Sequence, residues 1–523
     1  MLDYLIRGGT VCDGQNEQSY IADVGISGDR IAGIGSFPDA VAKFIIDASG
    51  KYVLPGMIDV HSHSDIWLFD NPDREEAITQ GITTEIVGPC GIGVFPLTGD
   101  GNNYLKTVRA IIGDSIRSFT SCGEYLSSLP KTSLNVAAHV SHSPLRGEAM
   151  GYADVIPTQD NQKKLLYLTR MAFEEGACAL STGLAYFPAA YGSTDEVASL
   201  CKVAKEFDAP VCIHQRTALR KPDPSFSSKE EVLEFARRSG ARLQYSHFRT
   251  TPSTAGKVEE LLEPIYRGLS EGLSITADFY PFPIGAGYTA VILPMWAMEN
   301  GIKHTLAILS DPKIRPELVK EVLRNNPMLK NGVVIHAPKH PGYIGRTYED
   351  IADERGQDVT NMLLDMLLEE ELDVGYQLIR NFRSEDLIHQ EKDFVALLEK
   401  PFYMLGSDSL PGQMHRHPRS SGAFAKMLRL AFKYDMNMAT FAKHVSSNPA
   451  GLFGLAKRGS LQKGYYADLI VVDGGNVTES ATFENPWGLS KGVEKVFVNG
   501  TLTCDNGKLT GSLAGRALYR GKE

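Results

Sequence analysis

An α/β architecture, a (β/α)8 TIM-like barrel carrying a small β-sandwich, is the fold class this sequence predicts. Three observations predict it. The middle of the chain alternates short apolar runs with helical stretches such as NQKKLLYLTRMAFEEG and KEEVLEFARRSG, the pattern of consecutive βα units. Eight such runs can be counted, and eight parallel strands with intervening helices close into a barrel. Nearly every polar residue suited to chemistry stands at the C-terminal end of one of these runs, the edge on which barrel enzymes carry their sites.

The runs lie, in order, around Gly56 to His61, Thr83 to Val87, Asn135 to His139, Ala177 to Ser181, Pro210 to His214, Leu243 to His247, Ser274 to Asp278 and Phe402 to Ser407. The stretch between the seventh and eighth, about residues 285 to 400, is too long for a structureless loop and contains NMLLDMLLEEEL. It predicts an inserted lid or subdomain. Both ends of the chain are different in kind. DYLIRGGTV, DVGISGDRIAGIG and AKFIIDASG at the start, and YYADLIVVDGG and VEKVFVNGTLTCDNG at the end, are β-branched runs separated by glycine-rich turns. Domain termini often lie close together. Residues 1–52 and 458–523 are therefore expected to form one split β-domain, with 53–457 as the barrel.

The chain has 523 residues, of which 43% are hydrophobic and 22% charged, an ordinary globular composition large enough for a substantial core. Net charge is -10 and no basic stripe is present, which argues against nucleic acid or an anionic membrane as partner. The start, MLDYLIRGGTV, alternates like a strand and lacks the pattern of a signal peptide. No apolar run approaches the ~18 residues of a membrane span. The expected location is cytoplasmic. Seven cysteines are scattered without CxxC spacing, so a disulfide framework is not expected. Cys178, Cys201 and Cys212 read as small apolar core residues.

The chemistry concentrates on six residues. His61 and His63 lie two apart in MIDVHSHSD, so on a strand both imidazoles face one cleft. By itself such a pair could equally be hydrogen-bonded core histidines. Cys90 sits in the glycine-flanked turn VGPCGIG, His214 ends PVCIH, His247 ends LQYSH, and Asp408 ends FYMLGSD. Six donors on five strand ends form a metal-binding pattern. Imidazole, thiolate and carboxylate together suit Zn2+, and a thiolate disfavours Mg2+ and Ca2+. His304, His336, His340, His389 and His444 read as surface or loop residues. His415 and His417, in GQMHRHPRSSG after Asp408, are expected to order that loop, although a substrate-facing role stays open. His139 and His142, on the third strand and its loop, are near enough to matter and carry no assigned role.

Several segments resemble the N-acyl-D-amino-acid deacylase (D-aminoacylase) family of the amidohydrolase superfamily: LPGMIDVHSHSD, QGITTEIVGPCG, ALSTGLAYFPAAYGSTDE, LQYSHFR, DFYPF, MLGSDSLPG and NPAGLFGLAKRGSLQKGYYADLIVVD. The STGLAYFP segment and the Cys90 turn are specific to that family; the HxH and ADLIVVD are only superfamily-level. The resemblance implies that Cys90 bridges two metal positions or ligates a single tight zinc, with His214 and His247 completing the tight site. It implies that His61, His63 and Asp408 define a second, weakly occupied site. Asp408 would be general base and acid, and Tyr186 would donate a hydrogen bond to the scissile carbonyl. Tyr280 and the basic residue after SHF, here Arg249, would hold the substrate carboxylate.

Three departures from the family pattern stand out: Arg249 in place of a lysine, QRTALR after His214, and Ser64 in place of an acid, with Asp65 expected to serve as the outer partner of the ligands. Arg249 keeps the carboxylate-binding role with a bidentate geometry. The implied activity is zinc-dependent hydrolysis of N-acyl-D-amino acids, small molecules, with D-specificity coming from the resemblance alone. A cyclic amidase of hydantoinase or dihydroorotase type is the alternative enzyme; it would need a lysine on the fourth strand, where the chain reads ACALSTGLAYFP. A non-enzymatic scaffold on the same fold would need lost ligands, and all six are present. The apolar stretch IGAGYTAVILPMWAM hints at neutral substrates, whereas Arg383 in NFRSED would suit an acidic side chain.

Overall fold

The computed structural model describes residues 1–98, 101–113, 115–216, 227–326, 330, 332–378 and 382–523. Eight parallel strands form its centre: β1 (Met57–Ser62), β2 (Ile82–Val87), β3 (Asn135–Ser141), β4 (Ala179–Gly183), β5 (Val211–His214), β6 (Leu243–Tyr245), β7 (Ile275–Phe279) and β8 (Tyr403–Leu405). Each pairs with the next in sequence order. The ring is drawn together at the β8–β1 seam, where Asp408 N–H donates to the His61 carbonyl (2.8 Å) and His63 N–H to the Ser409 carbonyl (3.0 Å). Asp59 reinforces the seam: one carboxylate oxygen accepts from His61 N–H (3.0 Å) and Ser407 N–H (2.9 Å). The predicted barrel and all eight strands are present.

The strands are buried on both faces because helices cover the outside, which is why they read as continuous apolar runs rather than alternating ones. Inside the barrel, Ile58, Val60, Ile86, Ala137, Cys178, Cys212 and Met404 pack on Phe453 and Leu518, closing the end opposite the site. Cys178, Cys201 and Cys212 are buried and unpaired as expected.

Both chain ends feed one nine-stranded sheet, in which Tyr52–Pro55 pairs with Leu469–Val472 and with Leu2–Val11. It encloses its own apolar core, with Ile6, Val24 and Val53 from the start packed on Leu469, Val471 and Phe497 from the end. Between β7 and β8 the chain forms a small antiparallel sheet of Ala286–Tyr288, Gly375–Leu378 and Gly332–His336, with helices including Ile302–Ser310, Arg315–Asn325 and Val359–Glu369 around it. The helix Ser384–Leu398 then returns to the barrel wall. Among the described residues no helix is long and apolar enough to cross a membrane.

Two histidines expected at the surface are core residues instead. His336 is fully buried on its strand, beside Asp373. His444 is buried and bonded to the Leu398 carbonyl. His444 bonds a carbonyl and His336 Nδ1 accepts from Met414 N–H, which offsets part of the cost of burying an imidazole. His304 and His389 are exposed, and His340 is half-buried against Tyr343.

Candidate metal centre and substrate cavity

The six predicted donors converge at the C-terminal mouth of the barrel. His61 lies within β1 and His63 one residue past it, His214 ends β5, and Cys90, His247 and Asp408 lie two or three residues beyond β2, β6 and β8. Those last three share a property the sequence hides: Cys90 (φ 55°), His247 (φ 40°) and Asp408 (φ 50°) occupy left-handed backbone. Non-glycine residues seldom do so, and such conformations cluster at functional sites. The sixth and eighth strands stop earlier than predicted for this reason. Each chain breaks from the ladder, held by His247 N–H on Asp278 (2.8 Å) and Asp408 N–H on His61 O, and so aims its side chain inward. The Cys90 turn is also pressed against β4. A Cβ on Gly183 would stand 1.9 Å from the Cys90 carbonyl oxygen, so only glycine fits there.

Cys90 Sγ lies 3.2 Å from His61 Nε2, 3.5 Å from His214 Nδ1 and 3.6 Å from His247 Nε2. His214 Nδ1 and His247 Nε2 are themselves 2.7 Å apart. On the other side, Asp408 Oδ1 lies 3.5 Å from His61 Nε2 and 3.6 Å from His63 Nε2. Two donor groups result, His61–Cys90–His247 and His61–His63–Asp408, each with its ligand atoms within 4.8 Å of one another. His61 belongs to both, and Cys90, His214 and His247 also lie within 3.6 Å of one another, so His61 stands between the two expected triads.

The electrostatics fit a cation. Burial lowers His214 to about 4 and His247 well below its usual value, which leaves lone pairs rather than imidazolium charge at neutral pH. Burial pushes the Cys90 thiol up against the pull of His61, so a thiolate here requires a metal beside it. For Asp408 burial favours the neutral acid, yet Arg419, with the His63 hydrogen bond next, overrides it and holds the carboxyl well below the usual range. Nitrogen and sulfur donors in this number are the set that zinc selects.

Two residues of the centre were not assigned from the sequence. Asp278, at the end of β7, lies 3.3 Å from His61 Nδ1 and accepts from Gln244 Nε2 (2.6 Å). A carboxylate on the far nitrogen of a ligand imidazole fixes its orientation. Asp65, expected in that role, is buried without a side-chain hydrogen-bond partner, and Ser64 donates to Glu85 (2.7 Å). The strand-end position of Asp278 in DFYPF was the available signal. Asp278→Asn is expected to weaken zinc affinity by about 10–100-fold, read by competition with a chromophoric chelator. Unchanged affinity would exclude the orienting role.

The second is Arg419, whose Nη1 lies 2.9 Å from Asp408 Oδ2 although the side chain is only 1% exposed. It follows Asp408 by eleven residues and opens the helix Arg419–Lys433, a separation with no periodicity to reveal it. Its guanidinium carbon lies 4.6 Å from the Tyr280 ring centre. Arg249 stacks on the same ring at 4.3 Å, donates to the Thr250 carbonyl, and does not line the cavity. Arg419 thus lines the cavity beside Asp408, while Arg249 stacks on Tyr280.

A cavity of ≈ 370 Å³ opens over the donors. His63, His214, His247, Asp408 and Arg419 form its polar floor, with Tyr186 and Tyr280; Ile111, Val291, Leu293, Tyr376 and Leu378 are among its walls. Tyr186 packs on His214 (ring centres 4.5 Å apart). Arg383 is elsewhere, 78% exposed and paired with Asp386. His417 is buried against Phe282 and Phe483 and accepts from Arg419 N–H, while His415 bonds the Phe483 carbonyl. Both order the loop that leads into the helix beginning at Arg419. His142 bonds Thr182 and Glu196, and His139 bonds the Val87 carbonyl. In QRTALR, Arg216 turns away to Glu231 and the Ala190 and Gly192 carbonyls; residues 217–220 lie outside the described residues.

Barrel, donor set and cavity together define the class: a metal-dependent hydrolase of the amidohydrolase kind. The amidohydrolase family pattern matches residues 296–503. The D-aminoacylase of Alcaligenes xylosoxydans xylosoxydans is 30% identical, over 99% of this chain and 98% of its own. The N-acyl-D-glutamate deacylase of the same organism is 31% identical over 95% and 93%. A crystal structure of N-acyl-D-glutamate deacylase from Bordetella bronchiseptica, complexed with zinc and a phosphonate mimic of the tetrahedral intermediate, matches with a TM-score of 0.81 at 29% identity, over 99% of each chain. This chain belongs to the N-acyl-D-amino-acid deacylase (D-aminoacylase) family of the amidohydrolase superfamily.

Proposed function

We propose that this protein hydrolyses the amide bond of N-acyl-D-amino acids, with zinc held tightly by Cys90, His214 and His247 and a second, weaker position at His61, His63 and Asp408. The observation that carries this reading is Asp408, which faces both histidines of the HxH pair and Arg419 on the floor of the cavity. When bound, zinc supplies Lewis-acid polarisation of the amide carbonyl and a more acidic water. Asp408 accepts the proton of that water as its oxygen bonds to the carbonyl carbon, then delivers the proton to the nitrogen as the C–N bond breaks. Tyr186 donates a hydrogen bond to the carbonyl oxygen as its charge develops. Arg419 and Tyr280 hold the α-carboxylate, which fixes the amide over Asp408.

A cyclic amidase is less well supported. β4 reads ALSTG and offers no lysine for a carbamate bridge, while Cys90 occupies the meeting point of the imidazoles. A scaffold without activity does not explain three left-handed donors. The seven unpaired, buried cysteines support a reducing, cytoplasmic setting.

The test is a turnover panel on zinc-loaded protein. N-acetyl-D-leucine, -methionine and -phenylalanine are expected to release free D-amino acid, with their L-enantiomers and cyclic ureides inert. Among the described lining residues Arg419 is the single cation besides the histidines. With it committed to the α-carboxylate, an acidic side chain would be buried unpaired, so N-acetyl-D-aspartate and -glutamate should show kcat/KM at least about tenfold lower. Hydrolysis of L-substrates or ureides alone would overturn the activity. Faster turnover of the acidic substrates would overturn the side-chain preference and leave the activity standing.

A further inference from the structure

Three segments that line the cavity meet behind it at one buried cluster. Ile111 comes from the helix Arg109–Ile112, Tyr376 and Leu378 from the strand Gly375–Leu378, and Leu410 from the loop after Asp408. Arg109, Asp373 just before the strand, and Met414 bring these segments together around His336 and Asp373. His336 Nε2 lies 3.2 Å from Asp373 Oδ1, and Arg109 Nε lies 3.4 Å from Asp373 Oδ2. Met414 N–H donates to His336 Nδ1 (3.4 Å). A backbone N–H can only donate, so His336 Nδ1 is the acceptor in this contact. Flanking bonds tie the same pieces: His415 N–H to the Ile335 carbonyl (2.9 Å) and Gln413 Nε2 to the Ala110 carbonyl (2.8 Å). The packing is close, since a Cβ on Gly375 would meet His336 Cβ at 2.8 Å.

We propose that Asp373, bridging His336 and Arg109, is a substrate-positioning clasp that fixes the Tyr376–Leu378 wall against the loop running from Asp408 to Arg419. None of the three clasp residues lines the cavity. Asp373 is buried and lies within 3.4 Å of a side chain from each of two other segments, contacts that count for more at a low-dielectric site than in water. The clasp therefore governs how well the cavity holds substrate and leaves the proton chemistry at Asp408 alone. The kinetic part of this inference rests on the hydrolase reading above; the mechanical part does not.

The test is Asp373→Asn in the zinc-loaded protein, with Arg109→Gln as a second variant because that side chain is 30% exposed and tolerates replacement. Both are expected to raise KM for the best N-acetyl-D-amino acid, about tenfold for D373N, with kcat within about twofold. Zinc content should be unchanged, and amide hydrogen exchange at Tyr376–Leu378 should be faster than in the unaltered protein. Unchanged KM and exchange, or a loss of kcat and zinc with KM untouched, would overturn the clasp. If the unaltered protein hydrolyses no N-acyl amino acid, the functional reading fails while exchange in D373N still decides the clasp.

Discussion

Asp408→Asn is expected to lower kcat by about 10²–10⁴-fold, the contribution usual for a positioned acid–base group, while zinc content stays close to that of the unaltered protein. The amide is nearly the same shape and leaves the Cys90, His214 and His247 donors in place. What it removes is the group that can take up and return a proton within reach of His61 and His63. It also strips Arg419 of its buried counter-charge. Leaving a buried guanidinium unpaired costs about 3–5 kcal/mol, so a lower melting temperature should accompany the lost activity. The variant must therefore be assayed well below its melting transition, with metal analysis on the same sample. Retained turnover would remove Asp408 from the mechanism, and zinc loss in proportion to activity would make it a ligand only.

Cys90→Ala should have the larger effect on metal. Its sulfur is the point within 3.6 Å of three imidazoles. Removing even an outer partner of a ligand costs about 10–100-fold in affinity, so loss of the ligand itself should exceed that and leave zinc to be stripped by a mild chelator. Alanine adds no backbone strain of its own, because the native residue already holds φ 55° as an L-residue with a Cβ. Folding should therefore survive and activity should not. Zinc measured by mass spectrometry at full occupancy after dialysis would exclude Cys90 as ligand.

Much of the fold was legible in the chain because the barrel repeats one local rule eight times. Each strand is a short apolar run closed by a polar residue, and that signature needs no tertiary information. His61, His63, Cys90, His214, His247 and Asp408 could be picked out for the same reason. Asp278 was on a strand end too, but an aspartate there is indistinguishable from a surface residue until His61 is seen 3.3 Å away. Arg419 left no trace at all. A basic residue at the start of a helix is usually a solvated one, and only packing shows this one buried on Asp408 and Tyr280. Arg249 and Arg383 had equal or better claims by sequence context, yet one stacks behind the ring and the other faces solvent.

The sequence by itself determined the barrel, the sheet shared by both chain ends and the six donors, since strand periodicity and strand-end position are local properties. Tertiary structure decided how those donors are used. It placed Cys90, His247 and Asp408 in left-handed backbone, put His61 in both donor groups, and set Arg419 beside Asp408 at the cavity. These outcomes depend on which loops meet across the barrel mouth, and on the balance between burying a charge and pairing it. Neither quantity exists until the chain has closed on itself.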